Sequence, residues 1–306
     1  MAVVVIACAA NAQAIGEKGS SIALTVIVED LPDPFPATAK VQLTNKLNAL
    51  MTQNGIASAD VLNRFFLTAI ATPLTKDVVA GPPTQIAQNM EVAFYIADYY
   101  DQKVFATASV TARGVGTNDN KCYLDAIRHI NLNSPELKKF VEQGKVKIID
   151  YYNAQADVIM AQAKSLAFQK NYEEALWKLS GIPSECEKYA QTLELTNQIY
   201  QQYIDYLCDV NLAKAKSAWA AQQNSDGAAA AGEFLSQIYP DAKCYADAEV
   251  LYAEIKAKVL DDWKFEMKKY QDSVDLEAQR IDAARAVGVA YGENQQPTTT
   301  NVAWVR

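Results

Sequence analysis

The chain has 306 residues, half of them hydrophobic, with 28 basic against 36 acidic side chains and a net charge of −8. That is enough apolar surface to bury a core and, at ordinary domain sizes, to fill two domains. The acidic balance and the absence of any run of five basic residues disfavour a nucleic-acid role, and the single histidine, His129, argues against an imidazole base or a multi-histidine zinc site.

The first residues read as a processing segment. Ala2 to Ala10 are small and apolar, and Ala10-Asn11-Ala12 forms an A-x-A site followed by Gln13-Ala14. A signal segment over 1–14, with mature protein starting at Gln13 or Ala14, is expected. The Ala-Asn-Ala-Gln ending resembles exported proteins of Bacteroidota, although a basic stretch before the apolar one is missing. Val5-Ile6-Ala7-Cys8 also fits a loose lipobox. Membrane association is therefore expected only through a lipidated Cys8 or through a partner. The competing reading is a buried strand. No other stretch reaches the roughly 18 apolar residues of a membrane helix.

Residues 20–132 read as an α/β domain. Ile22 to Val28 is a β-branched run and predicts a buried strand, closed by the three prolines of Leu31 to Pro36. A helix is expected from Ala37 to Asn54, with Leu43, Leu47, Leu50 and Met51 on one face and Gly55 just past its end. Phe65 to Ala71 predicts a second strand, and Thr72 to Pro83 a loop. Met90, Val92, Phe94 and Ile96 alternate with Glu91, Ala93, Tyr95 and Ala97, which places the first set on a core. After a turn near Asp101-Gln102, the alternation resumes from Val104 to Thr111, so the two runs predict an antiparallel hairpin. Gly114-Val115-Gly116 leads into a helix from Asp119 to Ile130, with Leu124 and Ile127 toward the sheet. It lacks the third glycine of a dinucleotide fingerprint and the Gly-Lys-Ser/Thr of a P-loop, so it reads as a strand-to-helix turn and no phosphate cofactor is expected.

This order of elements, with Val26-Ile27-Val28, Leu47-Asn48-Ala49-Leu50, the hairpin, and Gly114-Val115-Gly116 before Ala126-Ile127, resembles a shared domain. It is found in the curli secretion-channel (CsgG-like) family, in penicillin-binding-protein activator lipoproteins and at the amino terminus of TolB. The family usually carries an arginine at the end of its second strand, whereas Arg64 here precedes that strand. The resemblance implies an envelope protein that binds or assembles with other proteins. Membrane hairpins of the channel type would need alternating runs of about ten residues each, and only the core hairpin offers them.

Residues 134–290 read as all-helical. Ser134-Pro135 is an N-cap followed by a first-turn proline. Ala161-Gln-Ala-Lys-Ser-Leu-Ala recurs 52 residues later as Ala213-Lys-Ala-Lys-Ser-Ala-Trp. Leu179-Ser180-x-Ile182 recurs as Leu235-Ser236-x-Ile238, and Tyr189-Ala190 as Tyr245-Ala246, both 56 residues later. The difference of four is placed as an insertion near Asp226-Gly227-Ala228. Asn171-Tyr172-Glu173-Glu174-Ala175-Leu176, ending at Pro183, resembles a tetratricopeptide helix pair. The second copy departs from it with Ser225-Asp226-Gly227 at the turn. The resemblance implies stacked helix pairs whose concave face holds peptides or subunits.

A final helix is expected from about Asp247 to Gly288, roughly 60 Å long. On it Trp263, Met267, Tyr270, Val274, Glu277 and Ile281 follow a 4-3-4-3-4 spacing, a coiled-coil-like seam. Residues 291–306 are expected to form an extended tail, polar and ending in the apolar Val302-Ala303-Trp304-Val305. Trp263, Met267, Tyr270 and Trp304 are the candidate partner-binding residues; packing on their own chain is the alternative.

The fold class expected is therefore α+β: a small sheet domain with a hairpin, then a helical-repeat domain with a long C-terminal helix. The function expected is a non-catalytic, exported scaffold or assembly protein of the periplasm or outer membrane. It would act on protein partners, including copies of itself, with no nucleic acid, metal or cofactor. A bacteriophage virion subunit is a second binding-class reading. An enzyme is a third, resting on carboxylates such as Asp98, Asp101 or Asp261-Asp262, because no G-x-S-x-G, H-E-x-x-H or S-x-x-K occurs. The five cysteines, Cys8, Cys122, Cys186, Cys208 and Cys244, form no C-x-x-C pair. They allow one or two disulfides in an oxidising compartment, but burial as small hydrophobes is favoured.

Overall fold

The computed structural model describes residues 22–28, 35–56, 64–259, 265–268, 276–295 and 305. A four-stranded mixed sheet precedes a run of helices, as the α+β expectation required. The chain divides into two compact units. One holds Met1–Ile149 and Asn301–Arg306, the other Asp150–Thr300.

In the first unit the sheet order is β1-β2-β3-β4, with β1 Thr25–Val26, β2 Phe65–Val79, β3 Gln85–Asp98 and β4 Lys103–Gly116. The short β1 runs parallel to β2, and the other pairs are antiparallel. The crossover between β1 and β2 contains α1, Ala37–Gln53. Its leucines repeat at helical spacing, so Leu43, Leu47 and Leu50 fall on one side and are fully buried together with Met51. Gly55 takes a left-handed φ of +65°, and the amide of Ile56 donates to the Met51 carbonyl at 3.0 Å. That closes the helix as its glycine predicted.

Met90, Val92, Phe94 and Ile96 are buried on one face of β3, as their alternation demanded. Phe140 and Gly144 of α3, Pro135–Phe168, meet Phe94 and Ile96 there; the rings of Phe94 and Phe140 lie 6.2 Å apart. Ser134 caps α3, accepting from the Leu137 amide at 3.3 Å. On the opposite face, Phe66 and Ala97 form a small cluster with Val305, flanked by Ile27, Tyr95 and Tyr99. Of the apolar residues near the end of the chain, Val305 packs on this sheet.

Two expectations for this unit need correction. Thr72 to Val79 is not loop but the outer half of β2, continuing through Pro73 with a register shift before Thr75. Every residue from Thr72 to Val79 is exposed, so no alternation marks the strand in the sequence. Pro73 and Lys76 are residues that edge strands tolerate and use against unwanted pairing. The second correction concerns Gly114 and Gly116. Neither has a positive φ; both lie in β4, where α2, Asp119–His129, presses on the strand. A side chain at 114 would overlap the Cys122 carbonyl and come within 2.7 Å of the Ala126 amide. Close approach, not turn geometry, requires these glycines. Of the residues expected to face the sheet from α2, Ile127 is buried while Leu124 is only half-buried; Cys122, Tyr123 and Ala126 complete the buried face.

The second unit contains the rest of α3, then α4 Tyr172–Ser180, α5 Tyr189–Ala221, α6 Ser225–Leu235, α7 Tyr245–Val259 and α8 Leu276–Gln295. The offsets read from the sequence are structural. The ends of α3 and α5, α4 and α6, and the starts of α5 and α7 correspond. Ala163 and Ala215 are both fully buried, and Ala167 and Trp219 occupy matching core positions. The extra residues of the second copy are not one insertion at Asp226 but are spread, since α6 has 11 residues and α4 has 9.

The continuous helix expected from Asp247 to Gly288 does not form. Phe265–Lys268 is non-helical. Tyr252 and Tyr245, two turns apart on α7, donate their hydroxyls to the carbonyls of Phe265 and Lys268 at 2.9 and 2.7 Å. The Phe265 ring lies where Gly232 of α6 leaves room for it. Tertiary hydrogen bonds therefore replace the helical ones over this stretch. On α8 the buried residues are Ala284, Gly288 and Gly292, not Glu277 and Ile281. A side chain at 288 would approach the backbone of Leu176 and Trp177 to 2.9 Å, so α8 packs on α4 almost backbone to backbone.

Candidate functional site

The structure distributes the partner-binding residues read from the sequence unevenly. Trp263, Tyr270 and Trp304 lie outside the described residues, as do Cys8, Asp261-Asp262 and the proposed signal segment 1–14. Met267 is 9% exposed and belongs to the core of the helical unit, so it is packing and not surface.

The carboxylates considered for acid–base chemistry hold a turn. Asp98 is fully buried, and Arg64 Nε donates to its Oδ2 at 2.6 Å. Its Oδ1 accepts from the amides of Tyr100 and Asp101 at 2.8 and 3.1 Å, and Arg64 also pairs with Asp101 at 2.7 Å. Arg64, standing before β2, thereby ties the start of that strand to the β3–β4 turn. At Gly114-Val115-Gly116 the Val115 amide donates to Asp125 Oδ2 at 2.9 Å. The chain's own carboxylate takes the amide a phosphate would need. Among the described residues no group of three His, Cys, Asp or Glu could hold a metal ion, and no helix is long and apolar enough to cross a membrane.

The helical unit carries a feature that the sequence reading missed. At the α3–α4 turn, Lys170, Tyr172, Glu173 and Glu174 join Tyr203 and Tyr206 of α5 and Tyr291 of α8 around a cavity of about 400 Å³. Each element places its residues there for a local reason. Lys170 ends α3 in a left-handed conformation, φ 65°, with its amide on Ala167 and the Asn171 amide on Leu166. This is the cap geometry that glycine usually supplies. Glu173 and Glu174 stand in the first turn of α4, where the helix dipole favours negative charge. Tyr203 and Tyr206 are one turn apart on α5 and so share a face.

Within the cavity the Tyr172 ring lies 6.0 Å from Tyr203 and 5.7 Å from Tyr206, tilted by 53° and 43°. Tyr203 donates its hydroxyl to Glu173 Oε1 at 3.0 Å. The Lys170 ammonium sits 5.3 Å from the centre of the Tyr206 ring. Burial, then the neighbouring Tyr206, pushes the Tyr172 hydroxyl above its ordinary pKa. Burial followed by the hydrogen bond to Glu173 does so for Tyr203, and burial followed by Glu174 for Tyr291. These hydroxyls stay protonated at neutral pH, and those of Tyr203 and Tyr291 act as donors to Glu173 and Glu174. The tyrosine spacing was visible in the sequence, but only the fold brings α4, α5 and α8 together.

A second, more open cavity of about 760 Å³ is lined by Asn197, Gln198, Gln201 and Gln202 with Glu277 and Arg280. Leu276 also lines it, and Arg280 already pairs with Gln201 and faces Asp241 at 3.4 Å.

The cysteines divide. Cys208 on α5 and Cys244 before α7 form a disulfide, against the favoured reading of buried thiols, while Cys122 and Cys186 are free and buried in accord with it. Burial pushes the Cys186 thiol up to about 11.

No family model matches the chain, and no curated protein matches it. Among solved structures, a minor lipoprotein from Acinetobacter baumannii is similar over 41% of this chain and 78% of that one, at 17% identity and a TM-score of 0.23. A protein from Caulobacter crescentus CB15 described as a lipoprotein covers 41% of this chain and 85% of its own, at 11% identity and a TM-score of 0.22. Scores of this size carry no argument about fold or function.

Proposed function

We propose that the protein is an exported, non-catalytic envelope scaffold that acts by binding other proteins through its helical unit. The observation that carries this reading is the helix pair built twice on one plan. In the first copy the Glu187 amide donates to Asn153 Oδ1 at 2.9 Å, and Lys188 pairs with Asp157. In the second the Lys243 amide donates to Asp205 Oδ1 at 2.8 Å, and the Lys243 ammonium pairs with Asp209 at 2.7 Å. Asn153 and Asp157 recur 52 positions later as Asp205 and Asp209, so one helix face clamps one loop in both copies. Stacked helix pairs of this tetratricopeptide-like kind present continuous surfaces to partners. The α/β unit is read alongside it as the curli-channel and TolB type of binding domain.

Export is supported by the Cys208–Cys244 disulfide, since such bonds persist mainly in oxidising compartments. The A-x-A site near residue 12 points the same way. The test is cross-linking and co-purification of the full chain from its native host, with intact-mass measurement of the purified protein. The expected result is one or a few stoichiometric protein partners, or a defined homo-oligomer, and a mass beginning at Gln13 or Ala14. A protein that elutes alone as a monomer at native concentration overturns the scaffold, and a mass that includes Met1 overturns the processing.

A further inference from the structure

We propose that the tyrosine-lined cavity at the α3–α4 turn receives a basic side chain, lysine or arginine, of a partner polypeptide. The inference deepens the scaffold reading and rests on it for the choice of a polypeptide as the source of the cation.

Three features select a cation. First, the walls are aromatic. Tyr172, Tyr203, Tyr206 and Tyr291 line the space, and the tilted rings stand around it and do not stack on one another. The face of an aromatic ring attracts an ammonium or guanidinium and repels an anion. Second, Glu173 and Glu174 both line the cavity, and among the described residues neither takes part in an ion pair. The Tyr203 hydroxyl orients Glu173 without neutralising it. Third, a cation already rests at the rim: the Lys170 ammonium over Tyr206. Lys170 is the one lysine lining the cavity beside two carboxylates, and Lys243, which also acts on the Tyr172 hydroxyl, is paired with Asp209, so one negative charge remains for a guest.

The shape supports the class. A volume of about 400 Å³ lies at the small end of ligand pockets and holds one long side chain with its neighbours. Arginine fits best, because its planar fork can pair with a carboxylate while its face lies on a tyrosine.

The test uses the full chain and a fluorescein-labelled peptide Gly-Ser-Lys-Arg-Gly-Ser, read by anisotropy at low and moderate salt. Its controls are the same peptide with norleucine at both basic positions, and free choline as a competitor. The basic peptide is expected to bind about tenfold more tightly than the norleucine peptide. The double substitution Glu173→Gln, Glu174→Gln should weaken it about tenfold while lowering the melting temperature by no more than about 4 °C, the loss of two charges from the first turn of α4. Lys170→Gly, which removes the resident cation, should bind it at least as well as the parent. Equal binding of the two peptides, indifference to the glutamine pair or absence of binding each overturns the proposal. Displacement by choline at the peptide's own concentration also overturns it, in favour of a small amine or a lipid headgroup. Co-purification separates this inference from the scaffold reading. A partner retained by both the parent and the glutamine variant leaves the scaffold standing and removes the cavity from it. Peptide binding as expected, with no partner from the host, does the reverse.

Discussion

The two copies of the helix pair use nearly the same lengths of chain but are closed by different chemistry. In the first, the turn between long and short helix is made by Lys170 in a left-handed conformation, and the loop beyond α4 is held by Asn153 and by the Lys188–Asp157 pair. In the second, the turn runs through Gln222 in an extended conformation to Asn224, whose side chain accepts from the amides of Asp226 and Gly227 at 3.1 Å. The loop beyond α6 is held by Asp205 and Asp209 and also by the Cys208–Cys244 disulfide. The helices set the plan of the fold, and the turns are free to meet it by separate means. The copy that lost the Tyr-Glu-Glu turn is the one that carries a covalent staple, and the copy that kept it lines the tyrosine cavity.

The largest effect expected from breaking this contrast is loss of the staple. Cys208 and Cys244 are 36 positions apart, and a loop of that size predicts a stabilisation of roughly 4 kcal/mol in the chain-entropy account. Replacing both by serine should lower the urea midpoint accordingly. Cys186→Ala in the first copy should cost only about 1 kcal/mol, the loss of a small buried side chain. Similar losses at the two sites would mean that the second copy does not depend on its disulfide.

Gly227 comes next. A side chain there would overlap the Gln222 carbonyl oxygen, because the extended turn brings that group against the first turn of α6. Gly227→Ala should cost about 3 kcal/mol as an overpacked contact against rigid backbone. The matching position in the first copy is Glu174, which the left-handed turn leaves free of that contact. Glu174→Ala should shift stability by no more than about 0.5 kcal/mol. Thermal melts of the two variants side by side decide the point.

The clamps should differ less. Asp205→Ala removes a charged acceptor from the Lys243 amide and from Gln201, whose Nε2 lies 3.0 Å away, and should cost about 2 kcal/mol. Asn153→Ala removes a neutral acceptor from the Glu187 amide and should cost about 1 kcal/mol. A reversed order in denaturant melts would show that the ionic copy is not the more tightly clamped.

What could be read from the sequence follows from where burial leaves a pattern. The alternation from Met90 to Ile96, the leucines of α1 and the 52- and 56-residue offsets were all visible, because each packs one face repeatedly against a core. The outer half of β2 was not, since its residues are exposed on both faces and Pro73 reads as a break. The non-helical stretch at Phe265–Lys268 was hidden because its reason lies in Tyr245, Tyr252 and Gly232, distant in sequence. The aromatic seam drawn through Met267 assumed a helix, so its periodicity had no face to describe. Small residues at Ala284, Gly288 and Gly292 carry the α8 contact, and a search for large apolar residues passes over them. The tyrosine cavity needs three elements at once, and no single window of sequence contains it.

The smallest effect tests the turn itself, and its sign is informative. A non-glycine residue in the left-handed region costs roughly 1 kcal/mol or more, because Cβ crowds the following carbonyl. Lys170 bears that cost at φ 65°, at the helix position where glycine is the usual occupant. Lys170→Gly should therefore stabilise the chain by about 1 kcal/mol, even though glycine loses more chain entropy on folding. The counterpart in the second copy is Gln223, where no left-handed residue stands and where the side chain bonds Lys258. There the glycine relieves nothing, adds its entropy and removes the exposed bond to Lys258, so Gln223→Gly should destabilise by about 1 kcal/mol. Melting temperatures moving in opposite directions for one chemical change would establish that the two turns are built differently. Movement in the same direction would mean that the two copies share one turn after all.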